Sequence, residues 1–269
     1  MKNGELSSLV FSLRLRVVDM IDRAQKGDVA TSLAALDVLM ALYLGEDNEK
    51  PILSVNPKRP KGMERDYVVV SHGAIAPAWY VCLAQAGFFD PSELDFYGKE
   101  RALLRAYPDV KIPGVDAMVG PPGQGLAIGE GIARGLLLDK KPNHVFVVVT
   151  DEDLKLGLTW EAMMSVTYDR LANLTLVCAH SRSAKIAPLQ DKMKAFGWNV
   201  INLVNGHDMK EVVLALARAK EFKRRPTCVL APTILSKGVP FAEGKLVYRG
   251  SLFSAQEMIE ARRHLTASC

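Results

Sequence analysis

With 269 residues, 49% of them hydrophobic and 24% charged, the chain can build one large α/β domain or two small ones around a sizeable core. Its net charge of +4 is spread along its length, so nucleic-acid binding is not expected, and no run of about 18 apolar residues offers a membrane span. The four cysteines, Cys82, Cys178, Cys228 and Cys269, have no CxxC spacing, which excludes a disulfide framework and fits a reducing, cytoplasmic setting.

In chain order, the first element is a helix over 7–24. Leu13, Val17, Met20 and Ile21 recur at helical spacing, and Arg14 and Arg16 interrupt the apolar run a signal peptide would need. A second helical pattern covers 32–44. The stretch 45–65, GEDNEKPILSVNPKRPKGMER, is rich in Pro, Lys and Glu and reads as a surface loop. YVVV (67–70) is the first strand and a helix follows over 76–86. The stretch 105–123 holds four prolines and three glycines and is a second long loop; loops of more than about 15 residues are often functional. It runs into a glycine-rich turn, Gly120, Gly123, Gln124 and Gly125, that begins a helix over 124–138.

The remaining strands are VFVVV (145–149), LTLVC (174–178), NVINLV (199–204) and CVLA (228–231), with Cys178 and Cys228 packing as small hydrophobes. Helices over 158–171, 208–222 and 254–266 alternate with them. Asp208 is placed to cap one, and Ser254 with Glu257 forms a capping box for another. The basic run KEFKRRP (220–226) is expected to be a solvated helix end, where cations complement the dipole. Strands that are apolar without alternation suit a parallel sheet covered on both faces. The expectation is a doubly wound α/β fold, one domain over 1–269, with ligands bound beyond the carboxyl ends of the strands.

At one such end stands VTDEDLKLG (149–157). Three adjacent acids, Asp151, Glu152 and Asp153, repel one another unless solvent, a cation or bound protons offset them.

A family resemblance runs through SLAALDVLMALY (32–43), RDYVVVSHGAIAPAWYVCLAQAGFF (65–89), YPDVKIPGVDAMVGPPGQGLAIGEGIA (107–133), TWEA (159–162), LANLTLV (171–177), DKMKAFGWNVINLVNGHD (191–208) and LSKGVPFAEGKLVYRG (235–250). In this order they resemble the N-terminal, pyrophosphate-domain subunit of split transketolases, over essentially the whole chain. The resemblance implies thiamine diphosphate and Mg²⁺ as cofactors and transfer of two-carbon ketol units. It also implies a pyrimidine-domain partner chain, in a dimer or heterotetramer.

The same alignment implies that the cofactor and catalytic motifs have changed. The family's Gly-Asp-Gly is here Thr150-Asp151-Glu152, which keeps only the metal-binding Asp151, and the later metal-binding Asn is Ser181. A hard cation wants oxygen ligands, and Glu152 sets a carboxylate where the diphosphate would lie. The family's histidines are replaced at Asp28, Ala74, Tyr107 and Arg249, and the glutamate linking paired active sites is Leu156. The loop after Ser181 is about eight residues short. Trp160 and Glu161 match the family and are expected to pack at a subunit interface.

Three readings follow. The chain is a non-catalytic or regulatory subunit; or a repurposed pocket of Asp28, His72, Tyr107, Asp151, Glu152, Asp153, His180, Arg182 and Arg249; or an active thiamine diphosphate enzyme with unusual ligands, in which Asp151 holds Mg²⁺ with waters. In the repurposed pocket, the acids with His180 could hold Mg²⁺, Mn²⁺ or Zn²⁺, or Arg249 could clamp an anion. The plainer possibilities are that Asp153 caps the next helix, Glu152 pairs with an arginine, His72 and His180 are solvated, and the glycine turn serves close packing.

Overall fold

The β-branched runs form a five-stranded, wholly parallel sheet. The structure is a computed structural model that describes residues 3–118, 120–181 and 186–267. The strands are β3 (Tyr67–Val70), β4 (Val145–Thr150), β5 (Leu174–Ser181), β6 (Asn199–Asn202) and β7 (Thr227–Thr233), in the order β3-β4-β5-β7-β6. Two further strands, β1 (Glu46–Asp47) and β2 (Lys50–Pro51), make a small antiparallel hairpin inside the loop expected over 45–65.

The lack of alternation in the strands has the anticipated cause. Val145, Val147 and Val149 of β4 join a core with α4 (Gly125–Leu138), α5 (Gly157–Tyr168) and α6 (Leu189–Ala195). Phe146 and Val148 point the other way, into a core with α1 (Asn3–Ala24), α2 (Val29–Leu44), α3 (Ala76–Gln85), α7 (Met209–Glu221) and α8 (Ala255–Ala267). Both faces are covered, so every β4 position is buried.

The caps read from the sequence form. Asp208 accepts the Glu211 N–H at 3.0 Å, and the Ser254–Glu257 box closes with bonds of 2.7 and 3.3 Å. Helix α6 was not expected from periodicity. It has seven residues, too few to show a helical repeat, and only Leu189 and Met193 are buried. The basic run is corrected in part. Lys220, in the last turn of α7, reaches back to the Asp66 carboxylate at 2.6 Å and the Ile52 carbonyl at 2.7 Å, tying the 45–65 loop to the sheet.

Between α1 and α2 lies a fully enclosed ion pair. One Arg14 nitrogen, Nη2, donates to both Asp37 oxygens at 2.9 and 2.7 Å, and His207 Nδ1 lies 2.9 Å from Asp37 Oδ2. The Ile234 N–H donates to His207 Nε2, so in the neutral ring Nδ1 carries the proton given to Asp37. Burial would raise the Asp37 pKa, but the Arg14 charge and the His207 contact outweigh it and hold the carboxyl below its ordinary value.

Cys82, Cys178 and Cys228 are buried free thiols; the Cys178 and Cys228 sulfurs are 3.8 Å apart in the core. Cys269 lies outside the described residues. No helix among those described is long and apolar enough to cross a membrane.

Candidate functional site

The site lies where β3, β4 and β5 end. Strand β4 delivers Thr150 and the acids, β5 delivers His180 and Ser181, and the turn after β3 delivers Ser71 and His72. The three acids, adjacent in sequence, meet three different environments.

Asp153 points inward and is fully buried. Its Oδ1 accepts from the Ser71 hydroxyl at 2.5 Å and the Gly123 N–H at 2.7 Å, and its Oδ2 accepts from the Thr150 N–H at 2.8 Å. Ser71 Oγ in turn accepts from the Gly125 N–H at 3.2 Å. One carboxylate therefore bolts the ends of β3 and β4 to the glycine-rich turn. This corrects two expectations, since Asp153 neither caps α5 nor has oxygens left for a metal. His72 is corrected too. It is buried rather than solvated, with Nε2 2.8 Å from Thr150 Oγ1 and 3.6 Å from Asp153 Oδ2, while Nδ1 accepts the Ala74 N–H.

Within the glycine turn, Gly125 serves close packing. A Cβ at Gly125 would sit 2.5 Å from the Ser71 Cα, so helix α4 can start against β3 only with glycine there. Gly123 has φ +91° and gives its N–H to Asp153. Gly120 faces open space, and Gln124 begins α4 without a side-chain cap bond. Tyr107 is exposed, with its ring against Gly73.

Asp151 and Glu152 meet a cation of the protein's own. Arg249 Nη2 donates to Asp151 Oδ2 at 2.7 Å and Nη1 donates to Glu152 Oε1 at 2.6 Å. Asp151 Oδ1 accepts the Ser181 N–H at 2.9 Å, and Lys155 lies 2.8 Å from Glu152 Oε1. The Ser181 contact thus runs from its backbone to Asp151. Burial raises the Asp151 pKa, with Arg249 opposing. Glu152 is more exposed; Lys155 and then Arg249 overcome its smaller desolvation and lower its pKa.

Arg249 is delivered by an anchored corner. The preceding Tyr248 packs edge-on against Phe241 and Phe253 and donates its hydroxyl to Glu257 at 2.8 Å. The following Gly250, at φ +71°, gives its N–H to Asp28 Oδ2 at 3.0 Å. Asp28 also caps α2, accepting from the Thr31 N–H and hydroxyl at 2.9 and 2.6 Å. Asp28 is therefore a structural tie that fixes the approach of Arg249. Local sequence offered no sign of this tie, because its partners are 222 residues apart.

His180 is half-buried beside a concavity of about 340 Å³ that Ser181, Pro188 and Asn202 also line. Arg182 lies outside the described residues. A larger concavity, about 610 Å³, is lined by Arg170, Gly197 and Arg224 at the amino ends of the strands, away from the acids. Trp160 packs on Phe196 and donates to the Leu154 carbonyl at 2.9 Å, while Glu161 is exposed.

As arranged, these residues do not fit a Mg²⁺–diphosphate pair. Mg²⁺ needs a near-octahedral set of oxygens. Both oxygens of Asp151 are engaged, by Arg249 and the Ser181 N–H, and a guanidinium already lies between Asp151 and Glu152. Among the described residues, no group of three or more His, Cys, Asp or Glu side chains is arranged to hold a metal ion.

The fold and this rim define the class. Residues 6–268 match the family described as transketolase, thiamine diphosphate binding domain, and the chain belongs to that family. It is 32% identical over 244 residues to the 6-deoxy-6-sulfo-D-fructose transketolase subunit SqwG of Clostridium sp. (strain MSTE9), covering 87% of this chain and 86% of that one. It is 28% identical over 262 residues to one of the subunits of the apulose-4-phosphate transketolase of Phocaeicola vulgatus, covering 94% and 91%. Among solved structures, the transketolase of Campylobacter jejuni superposes with a TM-score of 0.85 at 25% identity, covering 97% of this chain and 42% of that one. The chain is thus a transketolase-like N-terminal chain, related along most of its length to subunits of split transketolases, and spans about two-fifths of the length of the Campylobacter jejuni chain.

Proposed function

We propose that this chain is the pyrophosphate-domain subunit of a two-chain, transketolase-like assembly, and that it serves there as a non-catalytic or regulatory partner. The observation that carries this reading is the Arg249 guanidinium seated on both Asp151 and Glu152. Metal-bridged diphosphate binding needs those oxygens free and a net positive centre. Here Arg249 and Lys155 balance Asp151 and Glu152, leaving no excess positive charge for a diphosphate. The positions that carry histidine in the family hold Asp28, Ala74, Tyr107 and Arg249, which as a set cannot move protons near neutral pH. The partner would be a pyrimidine-domain chain, in keeping with relatives that are themselves named as subunits.

A second reading keeps thiamine diphosphate-dependent ketol transfer, and the names of those two relatives favour it. It requires Arg249 to leave the acids when cofactor arrives.

Calorimetric titration of thiamine diphosphate with Mg²⁺ into the complex of this chain and its pyrimidine-domain partner separates the two. The expected result is a stable two-chain complex with no heat of cofactor binding. A dissociation constant near a micromolar, about −8 kcal/mol, that is lost in Asp151→Ala would overturn the proposal in favour of the second reading.

A further inference from the structure

We infer that Arg249 is the resident cation of the acid loop, a guanidinium built into the chain where a divalent metal would otherwise be held by Asp151. The inference deepens the non-catalytic reading and rests on it.

Three observations support it. First, the contact is two-pronged, 2.7 Å to Asp151 and 2.6 Å to Glu152, with one terminal nitrogen for each carboxylate. Charge-assisted bonds of this length are the strong kind, and a planar guanidinium bridging two carboxylates performs the charge neutralisation that a metal ion would perform. Second, the arginine is positioned from both sides. The Phe241–Tyr248–Phe253 cluster holds the residue before it, and the Asp28–Gly250 bond holds the residue after it. A solvated arginine reaching a carboxylate by chance has no such support. Third, Glu152 belongs to the arrangement. A guanidinium leaning on Asp151 alone would face one acceptor, and Glu152 provides the second from the next residue in the chain. Glu152 therefore has a role as the second seat for an internal cation, and stands where the resemblance would put a glycine.

Removing the guanidinium should uncover the metal site. With Arg249 gone, Asp151 Oδ2 loses its guanidinium partner and Glu152 keeps the half-exposed Lys155, which leaves carboxylate oxygens for Mg²⁺ or Mn²⁺ completed by water. The experiment is a Mn²⁺ titration of the purified chain, read by the loss of the free-ion electron paramagnetic resonance signal. Wild type, Arg249→Ala and Arg249→Lys are compared, with folding checked by circular dichroism. The expected result is at least tenfold tighter Mn²⁺ binding at one site in Arg249→Ala. Arg249→Lys, which keeps a positive charge there, should stay close to wild type, and Asp151→Asn in the Arg249→Ala background should abolish the gain. If the alanine variant fails to fold, Arg249→Gln carries the same expectation. The inference is overturned if wild type binds Mn²⁺ as tightly as the neutral variant, or if a folded neutral variant gains no binding. Its failure is distinguishable from failure of the non-catalytic reading. Cofactor binding by the two-chain complex refutes that reading whatever Mn²⁺ does in the free chain, and an unchanged Mn²⁺ affinity refutes this inference whatever the complex binds.

Discussion

The molecule contains two sites where an arginine meets an aspartate under cover, and they differ in kind. Between α1 and α2, Asp37 takes Arg14 Nη2 on both of its oxygens and the ring of His207 besides, and its pKa falls despite complete burial. At the strand ends, Asp151 takes one Arg249 nitrogen on one oxygen and the Ser181 N–H on the other, shares that arginine with Glu152, and its pKa rises. The first aspartate is over-supplied with partners and lies among helices that hold the fold. The second has a single, shared arginine and lies beyond the carboxyl ends of parallel strands, where α/β proteins place their ligands. A buried pair by itself is weak evidence for stability. Here the difference in supply separates a structural tie from a converted ligand site.

That contrast makes graded predictions. Asp37→Asn should be the most damaging change, because it leaves the Arg14 guanidinium buried with its charge unmatched. A loss of about 3–5 kcal/mol in chemical denaturation is expected. Asp37 also sets a pH dependence. Its folded pKa lies below 3.8, so its contribution is fully present above that value and is lost as the pH falls through the folded pKa. Denaturation midpoints measured down to about pH 3 should drop in the wild type, with a shallower drop in the asparagine variant.

Next comes Asp153→Ala, which strips an acceptor from Ser71, Gly123 and Thr150 at once. A loss of about 2–3 kcal/mol is expected, with faster amide exchange at Gly123 and Gly125 than elsewhere in α4.

Arg249→Ala should cost less, on the order of 1 kcal/mol, and its cost should grow as the pH rises through the Asp151 transition. The Asp151 pKa is already raised, so its favourable term is present at low pH and lost as the pH rises through the folded value. Without Arg249 that value rises further, and the variant should be closer to wild type at acid pH than at neutral pH. A cost that does not change with pH would contradict Arg249 holding down the Asp151 pKa. Glu152→Gln, at a half-exposed position, should change stability by no more than about 0.5 kcal/mol.

Much of the fold was legible because the signals were local. YVVV matched β3 to the residue, and the Asp208 and Ser254–Glu257 caps fell where they were expected. Helix α6 and the β1–β2 hairpin were too short to carry a period. At the site, the resemblance located Asp151, Glu152 and Arg249, and the possibility that Glu152 pairs with an arginine is realised. The contacts themselves were not legible. Arg249 lies 98 residues from Asp151, and nothing in either neighbourhood states that they meet. Asp153 misled because its local setting, before a helix, suggests a cap, whereas its partners come from three separate segments. Lys220 misled similarly, since charges near a helix end are usually solvated.

The most direct test is a crystal structure of the two-chain complex grown with thiamine diphosphate and Mn²⁺, with an anomalous difference map collected at the manganese edge. The account predicts the Arg249 guanidinium on Asp151 and Glu152 and no anomalous peak beside them. A manganese peak at bonding distance from Asp151, with Arg249 turned away and diphosphate next to the ion, would contradict it.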